Sequence, residues 1–360
     1  MSDSIYSVIT GTGNYIPSRR IENADFLSNE FYDTGGKKLQ IENEDIIEKF
    51  QKITTIEERR YVTNDQVTSD IAYQAALVAI KSAKIDKEEL DYIIVAHNFG
   101  DVQHDNRKTD ILPCLAARVK HKLQIKNANT VAYDLTFGCP GWLQAIIHAD
   151  YFIKSGDAKK VLVIGAETLS RVSDPHDRDS MLYADGAGAT ILEAQKSESP
   201  IGILAHKTRS DTLEHASMLF MDGSYNPNFK KKKDIFLKMY GRKLYQYALE
   251  TVPLAIKDLL EKSKIQLKEI KKILIHQANG KMDEAILQRL YRSCGVIDIP
   301  KNIMPMTIAW LGNSSVATLP TLLDLIKKAK LSPHKVGKGD TLVFASVGAG
   351  MNINALIYKM

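Results

Sequence analysis

The stretch Val131–Lys154, VAYDLTFGCPGWLQAIIHADYFIK, constrains this chain more than any other. Val131, Tyr133 and Leu135 alternate with small or polar residues, as a buried strand would. The chain then turns at Gly138-Cys139-Pro140-Gly141. Leu143, Ile146, Ile147 and Phe152 follow at the spacing of one apolar helix face. Pro140 sets the geometry, because its fixed φ and missing N–H suit a first helical turn, where an amide has no intrahelical acceptor. Cys139 is therefore expected at or next to the N-cap, its sulfur close to free N–H groups and the positive end of the helix dipole. That setting predicts a lowered thiol pKa and an available thiolate. The same turn also fits a small buried packing cysteine.

A chain of 360 residues exceeds a usual single core, so two units or one large layered domain is expected. The net charge of +5 is mild for this length. It argues against a nucleic-acid protein and suits local docking of an acidic partner or a phosphate-bearing substrate. Cys114, Cys139 and Cys294 are odd in number, widely spaced and form no CxxC pair, so neither a disulfide framework nor a zinc site is supported. The N-terminal MSDSIYSVITGTGNYIP lacks the basic-then-apolar order of a secretion signal. No apolar run approaches the ~20 residues that span a bilayer. A cytoplasmic address is expected.

Strand-like and helix-like segments alternate along the chain. Ile5–Gly11, Asp91–Ala96, Val161–Gly165 and the segment after the Tyr183–Gly188 turn read as strands; Glu44–Lys52, a segment capped by Thr68-Ser69-Asp70, and Leu112–Leu123 read as helices. His97 precedes and His104 lies within a charged loop, Asn98–Asp110; a metal site there is disfavoured by the irregular spacing and the lack of an acid-rich partner, and both read as solvated histidines. Asp185 reads as a turn residue, and the Gly-Ala-Gly after it lacks dinucleotide-loop spacing. Beyond the polar stretch 194–200, the second half repeats the theme. Ile201–His206, Ile273–His276, Thr341–Ser346 and Ile353–Tyr358 are strand-like; Gly241–Lys262, Met282–Tyr291 and Ser314–Ala329 are helical, with Pro253 predicting a kink or break. The Lys230–Lys233 run reads as a solvated loop. Two such units argue for an α/β layered protein built by duplication.

Three polar residues occupy equivalent places. Cys139 follows Val131–Leu135, His276 ends ILIH within His276-Gln277-Ala278-Asn279, and Asn313 lies in Leu311-Gly312-Asn313-Ser314-Ser315 ahead of a helix. In α/β layers, ligands gather where loops converge at the carboxyl ends of strands. A Cys, a His and an Asn meeting there supply a nucleophile and two hydrogen-bond donors. Each alone has an ordinary reading: a packing thiol, a satisfied core histidine, an N-cap asparagine.

With those residues in place, the chain resembles the β-ketoacyl-acyl carrier protein synthase III family of thiolase-like condensing enzymes. The resemblance spans nearly the whole length: ITGTGNYIP, ERRYV, TSDIAYQAA, the cysteine elbow, SDPHDRDSMLYADGAGA, IHQAN, LGNSSVATLP and VGAGMNINALIY. It implies an α/β, thiolase-like fold of two similar βαβαβαββ halves stacked as a five-layer α-β-α-β-α sandwich. Residues 1–196 then form the half that carries Cys139, and residues 197–360 the half that carries His276 and Asn313. The family match makes Cys139, His276 and Asn313 the catalytic set, with the backbone N–H groups of Cys139 and Ala349 as an oxyanion site. It also implies a homodimer, acyl carrier protein as a partner and no metal or redox cofactor.

The resemblance further implies a phosphopantetheine tunnel with a basic rim. Arg178 matches a rim arginine, Lys281 stands where carrier protein docks, and Lys238, Arg242 and Lys243 extend that surface. The tryptophan and arginine that sandwich the adenine of coenzyme A in better-known members align with Lys49 and Ile53, which removes that stacking pair. Phe137 and Pro140 flank the nucleophile where small residues are common, and the Asn98–Asp110 loop is longer and more polar than usual. Relatives with such changes include condensing enzymes of secondary metabolism, for example in dialkylresorcinol-type pathways. Three activities are therefore compared: fatty-acid initiation, a specialised lipid or polyketide condensation, and a non-catalytic ketosynthase-like partner subunit. A papain-type cysteine protease is disfavoured, since its CGSCW elbow is absent.

Overall fold

The computed structural model describes residues 4–231 and 233–360; Met1–Asp3 of the N-terminal stretch and Lys232 of the lysine run lie outside the described residues. Five strands of the first half, β1 (Ser4–Tyr15), β2 (Tyr92–Ala96), β3 (Val131–Leu135), β4 (Lys160–Thr168) and β5 (Asp185–Ser197), form one sheet in the order β1-β5-β4-β2-β3. Strands β3, β2 and β4 are parallel, with Ala96 in register with both Leu135 and Gly165. Their carboxyl ends therefore open on one edge. The second half builds β6 (Gly202–Ser210), β7 (Ile270–Ile275), β8 (Thr341–Gly348) and β9 (Asn352–Lys359) into a sheet of order β6-β9-β8-β7. There β7 and β8 are the parallel pair, with Ile275 opposite Ala345.

Apolar faces dictate the layering. Helix α1 (Asn43–Thr54) packs Ile46 and Ile47 on Phe26 and Phe31 outside the layers, and helices α2 (Thr68–Ala83), α3 (Leu115–Lys122), α4 (Gly141–Ser155), α5 (Gly241–Ser263), α6 (Gly280–Ser293) and α7 (Thr318–Lys327) supply the partners of the sheets. Ile71, Ala75 and Ala79 of α2 and Leu115 and Val119 of α3 pack on one face of the first sheet. Ile146 of α4 and Leu322 of α7 fill the space between the sheets, against Val163 and Phe344. Ile256 of α5 and Leu290 of α6 close the far side of the second sheet. The result is the five-layer α-β-α-β-α sandwich of the thiolase-like fold.

Several local expectations are corrected. β3 is an edge strand and not an interior one, and Val131 is 49% exposed. The second sheet has four strands. Beside β7, where β3 would have its counterpart, residues 301–306 make one backbone bond, Ile273 N–H to Ile303 O at 3.0 Å, and Pro300 and Pro305 lack ladder donors. Helix α5 runs unbroken through Pro253. The carbonyl that proline leaves without its helical donor, Leu249 O, accepts from the Arg289 guanidinium at 3.4 Å instead. His97 is not solvated; it ends β2 buried, with Nε2 2.8 Å from Asp134 Oδ2 and Nδ1 accepting from Gly100 N–H. Asp185 begins β5 as a buried junction, accepting from Val62 N–H, Ser170 N–H and Ser170 O–H. Among the described residues no helix is long and apolar enough to cross a membrane.

Candidate active site

Cys139 sits in the turn from β3 to α4, and two backbones meet on it. Gly138 has φ +65°, a conformation that suits glycine, and a Cβ added there would lie 2.7 Å from Ala349 N. A Cβ on Gly348 would run into Cys139 N. The two glycines thus let the β3–α4 turn and the segment after β8 approach until the amides of residues 139 and 349 are neighbours. Gly141 and Gly165 both lie against Val316, which draws the segment after Asn313 to the same place.

From the second half, His276 follows β7, its N–H bonded to Ala345 O at 2.9 Å, beside the strand that ends at Gly348. The residue is 3% exposed, and among the described residues neither ring nitrogen has a hydrogen-bond partner. Gln277 next to it accepts from Thr307 N–H and Ile308 N–H through Oε1 and donates to Pro305 O, pinning the chain that leads to Asn313. Asn313 is buried and bridged to Tyr183: its N–H bonds Leu182 O and its carbonyl accepts Ala184 N–H. Its side-chain Oδ1 accepts Ser315 N–H at 2.9 Å, which leaves the amide NH2 to face outward from that turn.

Ser315 couples this turn to the cysteine. Its φ is +52°, and its Oγ lies 3.3 Å from Cys139 Sγ as donor. Asn98, at the end of β2, donates through Nδ2 to Ser315 Oγ (3.2 Å) and to Glu167 Oε2 (2.7 Å). Burial pushes the Glu167 carboxyl up to about 7, against the lowering pull of His97 and of the bonds from Asn98. Nothing in the sequence separates Ser315 from Ser314 or marks Asn98 and Glu167 as its neighbours. Only the positive φ and the meeting of three elements reveal the link.

The expected low thiol pKa is not found. Burial pushes the Cys139 thiol up to about 11, outweighing the Ser315 hydrogen bond. The local geometry explains why the helix end does not compensate. The helix begins at Gly141 and not at the cysteine, Pro140 has no N–H, and the Gly141 N–H is already bonded to Gly138 O at 3.0 Å. Burial likewise pushes His276 down to about 4. At neutral pH the pair is a thiol and a neutral imidazole.

Arg178, Arg242, Lys243 and Lys281 are exposed. Lys238 is not a surface residue. Its ammonium is fully buried, 2.6 Å from Asp174 Oδ2 and 3.2 Å from Asp177 Oδ2, above the Tyr225 ring. Two carboxylates and an aromatic face satisfy it where solvent cannot, so it braces the DPHDR segment from within. Lys49 and Ile53 lie on the exposed face of α1.

A five-layer sandwich with a cysteine at a strand-to-helix elbow in one half, and a histidine after a strand and an asparagine in a turn of the other half, is the architecture of the thiolase-like condensing enzymes. The model of 3-oxoacyl-[acyl-carrier-protein] synthase III matches residues 133–212, and that of its C-terminal part residues 260–360. The chain is 34% identical over 356 residues to β-ketoacyl-[acyl-carrier-protein] synthase III 1 of Vibrio vulnificus, covering 99% of this chain and 100% of that protein. The crystal structure of 3-oxoacyl-[acyl-carrier-protein] synthase III from Aquifex aeolicus overlays with a TM-score of 0.77 at 29% identity, over 98% of this chain and 100% of that one. The priming β-ketosynthase of the R1128 polyketide pathway shares the fold with a TM-score of 0.80 at 24% identity, over 100% and 98%. This chain belongs to the 3-oxoacyl-[acyl-carrier-protein] synthase III family and is a condensing acyltransferase.

Proposed function

We propose that Cys139 accepts an acyl group from a thioester and that this group is joined to a malonyl-type thioester on acyl carrier protein, giving a β-ketoacyl product. The supporting observation is that the 348–349 backbone and the Asn313–Ser315 turn meet at one sulfur, while a buried imidazole with both nitrogens unpartnered among the described residues follows β7, the strand paired with β8. The thiol proton passes to His276 as sulfur attacks the acyl carbonyl, and the departing carrier thiolate takes that proton. The oxyanion forms against the N–H groups of Cys139 and Ala349. The malonyl thioester then places its carbonyl oxygen at His276 and the Asn313 amide. Loss of CO2 leaves an enolate there, stabilised by ~3–4 kcal/mol per donor on the scale of oxyanion-hole deletions. Its carbon attacks the acyl carbonyl and the Cys139 thiolate leaves. Decarboxylation itself supplies the carbanion, so this chemistry calls for no resident metal or redox cofactor.

Exposed Arg178, Arg242, Lys243 and Lys281 are the docking surface for an acidic carrier and its phosphopantetheine phosphate. With Lys49 and Ile53 in place of a stacking pair, the first acyl group comes from a carrier rather than from coenzyme A. This favours a specialised condensation, of the dialkylresorcinol type, over fatty-acid initiation. The protein works in the cytoplasm as a homodimer. To test the reading, intact protein is incubated with a panel of acyl-carrier and acyl-coenzyme A thioesters and weighed. An acyl adduct that disappears in Cys139→Ala is expected, and it identifies the primer. An adduct that persists in Cys139→Ala rules out this nucleophile, and wild-type protein that acquires no adduct supports the non-catalytic partner subunit.

A further inference from the structure

The chemistry proposed for Cys139 uses none of the three residues that stand behind its sulfur. Ser315 is 3% exposed and held at φ +52°, a backbone conformation rare for serine. A hydroxyl has one proton to give and two lone pairs. Asn98 Nδ2 donates to Ser315 Oγ at 3.2 Å, so the serine proton is left for Cys139 Sγ at 3.3 Å. If the Asn98 amide were turned over, its oxygen would take that proton and the sulfur would lose its donor. Glu167 decides which way the amide faces. Its Oε2, on a side chain buried completely, accepts from Asn98 Nδ2 at 2.7 Å and from Asn98 N–H at 3.1 Å. The second carboxyl oxygen, Oε1, is buried with no partner among the described residues, so the grip on Asn98 is the hydrogen bonding that the Glu167 side chain makes there.

We propose that Glu167 is a positioning residue: through Asn98 it fixes the direction of the Ser315 hydroxyl and so provides the Cys139 sulfur with its hydrogen-bond donor. The inference rests on Cys139 being the reacting thiol. The donor matters most when the sulfur becomes anionic, at loading and when the thiolate leaves after condensation, because hydrogen bonds to a charged acceptor are the strong ones.

The test follows alkylation of Cys139 by iodoacetamide at pH 8, read by peptide mass so that Cys114 and Cys294 do not interfere. Ser315→Ala should slow Cys139 about tenfold relative to wild type, and Glu167→Met about tenfold relative to Glu167→Gln, which loses the same charge facing the thiol, each the effect of one unit in thiol pKa. Glu167→Gln keeps an acceptor oxygen toward Asn98 while losing the charge that raises the thiol, and should react at least as fast as wild type, whereas a merely structural role for the charge would not be rescued. The double variant Ser315→Ala/Glu167→Met should be no slower than Ser315→Ala alone, because both act through one hydroxyl. Multiplying effects in the double variant, a wild-type rate in Ser315→Ala, or a Gln variant as slow as the Met variant each overturn the proposal. Should Glu167→Met not fold, Asn98→Ala takes its place with the same expectation. Alkylation needs no acyl substrate, so this outcome is separate from that of the acyl-adduct measurement.

Discussion

At the scale of single residues, the thiol and the imidazole are both neutral in the resting protein because both are buried. A preformed thiolate–imidazolium pair needs each ion to be stabilised by the other, yet neither His276 nitrogen touches a partner. The thiol stands at about 11 and the imidazole at about 4, so no ionisation of the pair falls between them. Below its pKa a thiol's anionic fraction rises tenfold per pH unit. Alkylation of Cys139 should therefore climb about tenfold per unit from pH 6 to pH 9 without levelling. A plateau below pH 8 would reveal an ion pair and contradict this account. Cys139, His276 and Asn313 could be proposed from the sequence because each lies in a contiguous motif. Lys238 could not be placed, since its two acids come from a segment some sixty positions earlier and only folding buries all three.

Secondary-structure elements bring these residues together through close backbone approach. The β3–α4 turn and the segment after β8 touch because Gly138 and Gly348 leave room. Gly348→Ala should force the two segments apart, cost on the order of 1–3 kcal/mol as an overpacked site does, and abolish acyl loading as the amides of residues 139 and 349 separate. Gly223 has open space around it. Gly223→Ala should leave the melting temperature unchanged, and equal melting temperatures for the two variants would remove the close-packing argument. The helices and inner strands were legible in the sequence from their periodicity. What periodicity misses is compensation and position. Arg289 relieves the carbonyl orphaned by Pro253, so the helix does not break. The pattern of β3 is the same for an edge strand as for an interior one.

For the molecule as a whole, that edge has consequences. Strand β3 carries the cysteine turn yet presents an open side, with Val131 49% exposed. Ile111 and Leu112, 55% and 87% exposed, precede α3, whose first amides bond Asp134 of β3. An unpaired strand edge beside bare apolar side chains calls for cover. A second copy of this chain supplies it if the protein is a homodimer. Sedimentation equilibrium should give the mass of two 40.2 kDa chains, and Val131→Lys/Leu112→Lys should fall to one. A wild-type monomer would leave the edge unexplained. Duplication of the α/β unit was visible in the sequence, but the missing fifth strand of the second sheet was not, since it depends on what Pro300 and Pro305 fail to donate. The central claim is that one sulfur is loaded and then discharged by a decarboxylated partner. It is tested most directly by chasing the acylated protein with malonyl-carrier thioester and weighing the protein over time. Wild type should lose the acyl mass from Cys139 as β-ketoacyl-carrier and CO2 appear in equal amounts, while His276→Ala, brought to the same acyl mass by longer incubation, stays loaded at least ~100-fold longer. Discharge of His276→Ala at the wild-type rate, or loss of the acyl group as free acid without CO2, would contradict it.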